Sequence, residues 1–231
     1  MAPDIETILR YLRIRGESAP ELRARVESRA VRLAESLTPR RVWRAFPLRR
    51  TSGGLSLGGE LTLPGTLAER MLGGCDTAVL LCCTLGLDFE RQLRSLERRD
   101  MGEAVILDAC GSAWVESGCD QAEKELAELF APRFLTDRFS PGYGDLPLSL
   151  QPSVLALLDA ERRLGVHVSE SFLMTPSKTV TAVLGVSDTP QPARIRGCAF
   201  CVMRGKCEYR NSHAGCGNAA NESAAFNIRE E

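Results

Sequence analysis

The chain has 231 residues, 44% of them hydrophobic and 26% charged, with a formal net charge of −1. These values are typical of a globular protein. Because the sequence has no long basic stripe, its charge gives no reason to expect a nucleic-acid-binding protein. The longest apolar run, residues 78–87, is far shorter than the roughly 20 residues of a membrane span. The first residues do not show the basic segment followed by an apolar stretch that marks a secretory signal. We therefore expect a cytosolic protein.

The first third of the chain predicts two helices and a small sheet. Asp4 is placed to cap an amphipathic helix, and Pro20 to begin a second one. Residues 42–48 and 55–63 then alternate with period two, and glycine pairs interrupt the pattern, which predicts two or three antiparallel strands.

The middle of the chain predicts a buried strand and two helices. Asp76 to Thr84 is almost continuously apolar and has the length of a strand that is buried on both faces. Leu87 to Arg98 is typical of a charged helix. Asp100 to Phe130 favours one long helix across the core, with a bend expected near Gly111 or Gly118.

After residue 150 the pattern predicts a helix from about Pro152 to Leu164 and then a strand pair, residues 166–174 and 179–186, joined by the turn 175–178. The predicted fold class is therefore α+β. The composition changes at Ser187, so we expect a compact domain over residues 1–187.

Two further segments complete this division of the chain. Residues 188–210 are predicted to form a linker and a cysteine-rich module. Residues 211–231 contain little to bury and are predicted to form a flexible tail.

One loop, Arg138 to Asp145, has the composition of a small-ligand site. Pro141 and Gly142 suit the second and third positions of a type II turn, since the third needs a positive φ. Arg138 offers a planar fork of donors that fits a carboxylate, and Tyr143 adds a ring face and a hydroxyl. The competing interpretation is a surface turn with a solvated arginine.

Nine cysteines, an odd number in a chain expected in the cytosol, indicate thiols or metal ligands rather than a disulfide framework. Cys198 and Cys201 have a spacing that lets two thiolates bind one metal, and Cys207 and Cys216 could complete a tetrahedron. Structural zinc, an iron–sulfur centre and uncoordinated thiols all stay open. The five earlier cysteines are expected to pack as small hydrophobic side chains.

Several of these strings, in this order, resemble the reactivation domain of cobalamin-dependent methionine synthase. They are Asp108 in the long helix, Arg138-x-x-x-Gly142-Tyr143, the segment 158–165, and the segment 169–176. The resemblance covers residues 75–187 well and the earlier part more loosely. It implies a single C-shaped α+β domain around a bent antiparallel sheet, with the chain as a free-standing version of that domain.

The resemblance also implies a function. Domains of this family bind S-adenosylmethionine (SAM) and present it to the cobalamin of the methyltransferase, which regains its methyl group after one-electron reduction. By this resemblance the SAM-binding residues are Arg138, Ser140, Gly142, Tyr143 and Asp108. The implied partners are a corrinoid-binding methyltransferase, which carries the cobalamin, and a flavodoxin-like or other electron donor. No catalytic residue is implied, because the cofactor itself is the nucleophile.

The chain also departs from the family pattern. It has residues 144–149 where the family has a Pro-Asp/Glu-His string, and Ser112 where a carboxylate is expected. Two alternatives therefore stay open: a SAM-dependent methyltransferase with another acceptor, and an accessory protein that docks on a corrinoid protein without SAM.

Overall fold

The structure is a computed structural model that describes residues 3–14, 18–193 and 195. Its helices are α1 (Ile5–Tyr11), α2 (Pro20–Ser36), α3 (Thr66–Leu72), α4 (Gly86–Glu97), α5 (Met101–Phe130), α6 (Gln151–Leu157) and α7 (Ala160–Leu164), with a 3-10 turn at Leu148–Leu150. Its strands are β1 (Arg40–Thr51), β2 (Gly54–Leu57), β3 (Leu61–Leu63), β4 (Thr77–Thr84), β5 (Phe134–Leu135), β6 (His167–Val168), β7 (Met174–Thr175) and β8 (Thr179–Ser187).

The helix starts are set by residues that the sequence marks. The carboxylate of Asp4 accepts a hydrogen bond from the Thr7 amide at 2.8 Å, and that of Asp100 accepts one from the Glu103 amide at 3.0 Å. Each bond satisfies one of the amides that a helix leaves unpaired in its first turn. Pro20 begins α2, where its missing N–H has no cost.

Six strands form one antiparallel sheet in the order β3-β2-β1-β4-β8-β5. The predicted α+β class and the antiparallel strands of residues 42–63 are thus confirmed. Strand β1 changes partner along its length: residues 40–47 pair with β4, and residues 48–51 pair with β2. The change falls at Pro47, which has no N–H for a further ladder bond.

The central strands β4 and β8 are buried on both faces. On one face, Val79, Leu81 and Cys83 of β4 belong to one core with α1, α2, α4 and α5. On the other face, Leu80 and Cys82 belong to a second core with β2, β3, α3, α6 and α7. The apolar run from Asp76 to Thr84 is therefore a doubly covered strand, as predicted.

Helix α5 lies across the first core as one unbroken element, and its glycines are points of close approach. A methyl group at Gly111 would lie 2.3 Å from the ring of Phe89, which is fully buried. One at Gly118 would lie 2.6 Å from Pro39. The glycines that we expected to bend the helix thus let α4 and the residue before β1 pack directly on its backbone.

Two predicted elements were wrong. The single helix from Pro152 to Leu164 is divided into α6 and α7, because Asp159 has a left-handed backbone conformation with φ of 51°. The predicted pair of strands at 166–174 and 179–186 does not form. Instead β6 pairs with β7 in a two-residue ladder, while β8 pairs with β4 and β5.

No helix within the described residues is both long enough and apolar enough to cross a membrane. Among the described residues, the last strand ends at Ser187. The division into residues 1–187, 188–210 and 211–231 stays a prediction, since nearly all of the last two segments lie outside the described residues.

Replacing Gly111 with alanine tests the close packing of α5 on Phe89. In a helix interior this change usually stabilises a protein by about 0.5–1 kcal/mol. Here we expect Gly111→Ala to lower the free energy of unfolding by about 1–3 kcal/mol, because the new methyl overlaps a buried ring. Urea denaturation measures this change. In a Phe89→Leu background the same substitution should cost much less, and an equal cost there would contradict the contact.

Candidate functional site

The loop from Arg138 to Asp145 is fixed to the sheet at one end. Phe139 is fully buried and exchanges two backbone hydrogen bonds with Val183 of β8, at 3.1 and 2.7 Å. The Tyr143 amide then donates to the Ser140 carbonyl at 3.1 Å, and Gly142 has φ of 93°. The predicted turn through Pro141 and Gly142 is therefore confirmed.

At its other end the loop is held by Asp145. Its carboxylate accepts hydrogen bonds from the Thr66 amide at 2.6 Å and the Leu67 amide at 2.9 Å, at the start of α3. The Thr66 hydroxyl donates to it as well. These hydrogen bonds lower the pKa of Asp145 to about 2. The last residue of the motif therefore ties the loop to a second element.

Arg138 is surrounded by three carboxylates of α5. Its guanidinium donates to Glu116 at 2.6 Å, to Asp120 at 2.7 Å and to Glu123 at 2.5 Å. These acids are spaced i, i+4 and i+7, so they share one face of the helix. Only 10% of the arginine side chain is exposed. We call Arg138 and these three acids the Arg138 cluster.

The sequence analysis assigned the Arg138 fork to a ligand carboxylate, and that assignment stays a prediction. In the structure, carboxylates of the chain itself occupy its donors. Burial opposes the positive charge, yet the nearby carboxylates outweigh it and raise the pKa of Arg138. One cation faces three anions, so the Arg138 cluster has a net charge of −2 when its acids are ionised.

Two half-exposed tyrosines stand beside the Arg138 cluster. Tyr143 comes from the loop and Tyr11 from the end of α1. Burial is the main cause that raises the pKa of the Tyr11 hydroxyl, and the negative charge of Glu116 is the second. Arg138 and Tyr143 also affect this pKa electrostatically. Four groups from three distant parts of the sequence thus share one neighbourhood. Tyr11 then keeps its proton at neutral pH and can donate it in a hydrogen bond.

A groove of about 330 Å³ adjoins this neighbourhood between α1, α4 and α5. Its walls combine apolar side chains with carboxylates and hydroxyls: Tyr11, Leu12, Leu93, Glu97, Met101, Ala104, Val105, Asp108, Ala109 and Ser112. Its volume is at the lower end for small-molecule sites. Tyr11 lines the groove and is affected by the charge of Glu116, and Ser112 of the groove lies one helical turn before Glu116. The groove and the Arg138 cluster are therefore neighbours.

Asp108, the remaining predicted ligand residue, lies in this groove rather than against Arg138. Its carboxylate pairs with Lys178 at 2.8 Å, and the same ammonium donates to Ser112 at 2.9 Å. The eight residues from Asp108 to Glu116 correspond to about 12 Å of helix. The structure therefore places Arg138, Ser140, Gly142 and Tyr143 in one loop, and Asp108 two turns away along α5.

The sequence analysis did not identify Tyr11, Glu116, Asp120 or Glu123 as site residues. The three acids did carry a signal, because their spacing puts them on one face of a predicted helix. Nothing in the sequence linked that face to Arg138. Tyr11 lies more than one hundred residues before the loop, and only the packing of α1 on α5 brings it there.

The cysteines divide into two groups. Cys82, Cys83, Cys110 and Cys119 are buried and free, as predicted, and burial raises the pKa of Cys82 and Cys110 to about 12. Cys75 is half-buried. The predicted metal ligands are Cys198, Cys201, Cys207 and Cys216, and all four lie outside the described residues. Among the residues that are described, no cluster of side chains is suited to a metal ion.

Comparison with known proteins agrees with the resemblance read from the sequence. Residues 112–192 match the family described as "Vitamin B12 dependent methionine synthase, activation domain". The structure is similar to the crystal structure of the MetH reactivation domain bound to AdoHcy (S-adenosylhomocysteine). The TM-score is 0.59 and the sequence identity 17%, over 85% of this chain and 80% of that one. No curated protein matches the chain significantly.

These matches confirm the resemblance to a reactivation domain. At 17% identity the structural match establishes a shared fold. The family match is more specific for the site, because residues 112–192 contain the whole Arg138 cluster and Tyr143. Tyr11 and most of the groove lie before the matched residues.

The pH dependence of stability tests the anchoring of the loop by Asp145. A carboxylate with a lowered folded pKa stabilises the protein above its unfolded pKa near 4, and this contribution is lost as the pH falls through about 2. Asp145→Asn should therefore lower the melting temperature at pH 6, and the difference from wild type should shrink from pH 4 downwards. The exposed residue Glu35 offers the control Glu35→Gln, and a pH-independent difference for Asp145→Asn would contradict the assignment.

A second substitution tests the charge balance of the Arg138 cluster. Arg138→Met leaves three carboxylates close together and partly buried, so we expect a loss of about 3 kcal/mol in the free energy of unfolding. Adding Glu116→Gln and Glu123→Gln should recover most of this loss, because only one charge then remains. Chemical denaturation measures both variants, and failure of the added changes to restore stability would argue against an electrostatic cause.

Proposed function

Because residues 112–192 match the activation-domain family of vitamin B12-dependent methionine synthase, we propose that this chain binds SAM beside Arg138 and supports cobalamin reactivation. In this proposal it acts in trans on a corrinoid methyltransferase, with methionine synthase as the first candidate. The observation that carries the proposal is the Arg138 cluster, flanked by two tyrosines and a groove.

The amino-acid end of SAM fits this cluster by exchange of ion pairs. SAM carries a carboxylate and an ammonium on one carbon atom. If its carboxylate takes donors of Arg138, the acid that is displaced can pair with its ammonium, so each charge keeps a partner. Arg138 then holds the carboxylate as the sequence analysis proposed, but as part of a network rather than as a free fork.

The surplus negative charge suits the sulfonium of SAM. The cluster has two more negative than positive charges, and the ring faces of Tyr11 and Tyr143 also attract cations. AdoHcy lacks the sulfonium charge. The same site should therefore prefer the methyl donor to its demethylated product.

The adenosine part has room in the adjoining groove. Ala104 and Ala109 offer an apolar surface, and Asp108 and Ser112 offer polar groups near Tyr11. In this arrangement Asp108 contacts the nucleoside end of SAM, away from its amino-acid end. The Lys178 ammonium holds the Asp108 carboxylate in place.

In the proposed reaction a donor reduces cob(II)alamin of the partner by one electron to cob(I)alamin. An electron pair of cob(I)alamin forms the new bond between cobalt and the methyl carbon of SAM. The electrons of the broken carbon–sulfur bond stay on sulfur, so SAM becomes AdoHcy. No proton is transferred. The contribution of this chain is therefore to bind SAM and orient its methyl group, and half-exposed tyrosines leave the site open to a partner.

Calorimetric titration with SAM and AdoHcy tests the site. We expect Glu116→Gln to weaken SAM binding by about tenfold, because it removes one charge near the sulfonium, and to weaken AdoHcy binding less. Glu128→Gln makes the same charge change at an exposed position of α5 and should alter neither affinity. Equal losses for SAM and AdoHcy would contradict the proposed role of the charge.

The reaction itself is tested with purified methionine synthase whose cobalamin is in the cob(II)alamin state. With SAM and a chemical reductant, the chain should increase the rate at which methylcobalamin appears in the visible spectrum. If the chain does not bind SAM, the proposal is wrong and the alternative of a SAM-independent docking protein is favoured. SAM binding without any effect on the cobalamin would favour a different methyl acceptor.

A further inference from the structure

A small polar network lies on the wall of the groove, where Lys178 joins Asp108 to Ser112. The Lys178 ammonium contacts Asp108 Oδ1 at 2.8 Å and donates to the Ser112 hydroxyl at 2.9 Å. Only 13% of the lysine side chain is exposed, whereas the Asp108 side chain is half-exposed and lines the groove. We call these three residues the Asp108 network.

The lysine of this network comes from a fixed turn. The Lys178 carbonyl accepts a hydrogen bond from the amide of Leu85, the residue that follows β4, at 3.0 Å. The amide of the preceding Ser177 donates to Glu90 of α4 at 2.6 Å. The turn before β8 is therefore tied to two other elements, and the ammonium holds the carboxylate from a defined position.

One carboxylate oxygen of the network is left for a ligand. Lys178 contacts Oδ1 of Asp108, and among the described residues Oδ2 has no hydrogen-bond partner. The Ser112 hydroxyl is not available as a donor, because it donates its proton to the Asp108 carbonyl at 3.1 Å. An ionised carboxylate only accepts hydrogen bonds. The network thus presents one positioned acceptor, which requires a donor from the ligand.

The site residues follow one another along α5 in the order of the parts of SAM. Asp108 lies eight residues before Glu116 of the Arg138 cluster, which is about 12 Å of helix, and Met101 lies about 10 Å further on. About eight bonds join the carboxyl carbon of SAM to a hydroxyl oxygen of its ribose, and when extended they cover about 10 Å. With the SAM carboxylate at Arg138, the ribose hydroxyls therefore reach Asp108.

The remaining walls of the groove suit the base rather than the sugar. They include the apolar residues Leu12, Leu93, Ala104 and Val105. Adenine has flat faces, and its ring nitrogens are acceptors that a carboxylate repels, so only its amino group could donate to Asp108. Both ribose hydroxyls can donate, and acidic side chains bind them in other nucleotide-binding folds. The acceptor at Asp108 thus matches the sugar.

We infer that Asp108 recognises the ribose of SAM by accepting a hydrogen bond from one of its hydroxyl groups at Oδ2, with Lys178 as the positioning residue. This inference rests on the proposed function, because it assumes the SAM carboxylate at Arg138. It makes the site selective for the ribonucleoside. A site built to bind a ligand hydroxyl rejects the analogue that lacks it, because the polar group of the site is then left unpaired.

Calorimetric titration with AdoHcy and its 2′-deoxy and 3′-deoxy analogues tests the inference. We expect wild type to bind at least one deoxy analogue about tenfold or more weakly than AdoHcy. In Asp108→Ala, AdoHcy should bind as weakly as that analogue, so that the ratio of the two affinities falls to about one. Lys178→Met keeps the carboxylate but removes its support, and this variant should lower the ratio in part.

Two matched variants control for the change of charge. Glu128→Ala removes an exposed carboxylate of α5, and Lys124→Met removes an exposed ammonium of the same helix. Both should keep the wild-type ratio. Because the ratio compares two ligands on one protein, a loss of stability in a variant does not change it. A purely structural role of the Asp108 network would therefore leave the ratio as it is in wild type.

Several outcomes would overturn the inference. Equal binding of AdoHcy and both deoxy analogues by wild type would show that no ribose hydroxyl is recognised. A preference that persists in Asp108→Ala, or that Glu97→Ala removes instead, would place the ribose elsewhere. If Asp108→Ala loses discrimination only against S-inosylhomocysteine, which has an oxygen in place of the adenine amino group, Asp108 reads the base. Failure of wild type to bind either SAM or AdoHcy would reject the proposed function itself.

Discussion

The ion pairs between Arg138 and three acids of α5 are the interaction on which the site depends. They join a loop from the edge of the sheet to the middle of the longest helix. Without them the loop would still be held by Phe139 and Asp145, but its arginine would have no fixed position. Because the arginine is mostly buried, its charge needs these partners, and α5 supplies them on one face.

An excess of acid over base gives the cluster its chemical character. A guanidinium with one carboxylate would be neutral and would offer a zwitterion no gain. With three carboxylates it can accept a ligand that carries one anion and two cations, which is the charge pattern of SAM. The network therefore holds the arginine in place without a ligand. Its surplus charge also opposes any polyanionic ligand.

The sequence predicted those elements whose cause is local. Asp100 caps α5, and the apolar run of β4 reflects burial on both faces, so each could be read from a few adjacent residues. The break at Asp159 could not, because it depends on a left-handed conformation that this residue type adopts only in a suitable context. The partners of β8 depend on long-range pairing, which turn residues near Thr175 do not specify.

The same distinction applies to the site. The turn at Pro141 and Gly142 was predictable because its geometry is set by those two residues. The state of Arg138 was not, because its partners are fifteen or more residues away and become neighbours only when the loop packs on α5. A motif can thus predict the backbone geometry of a loop without showing which partners its side chains have.

The long helix also determines how charge is distributed over the molecule. Its middle carries the acids that hold Arg138, while the turn before its first residue carries Arg98 and Arg99. That turn also contains Glu97 and Asp100, so the surplus of charge lies in the middle of the helix rather than at its start. The net charge of −1 is the balance of 29 basic and 30 acidic residues over the whole chain, so it does not show this local surplus of acids.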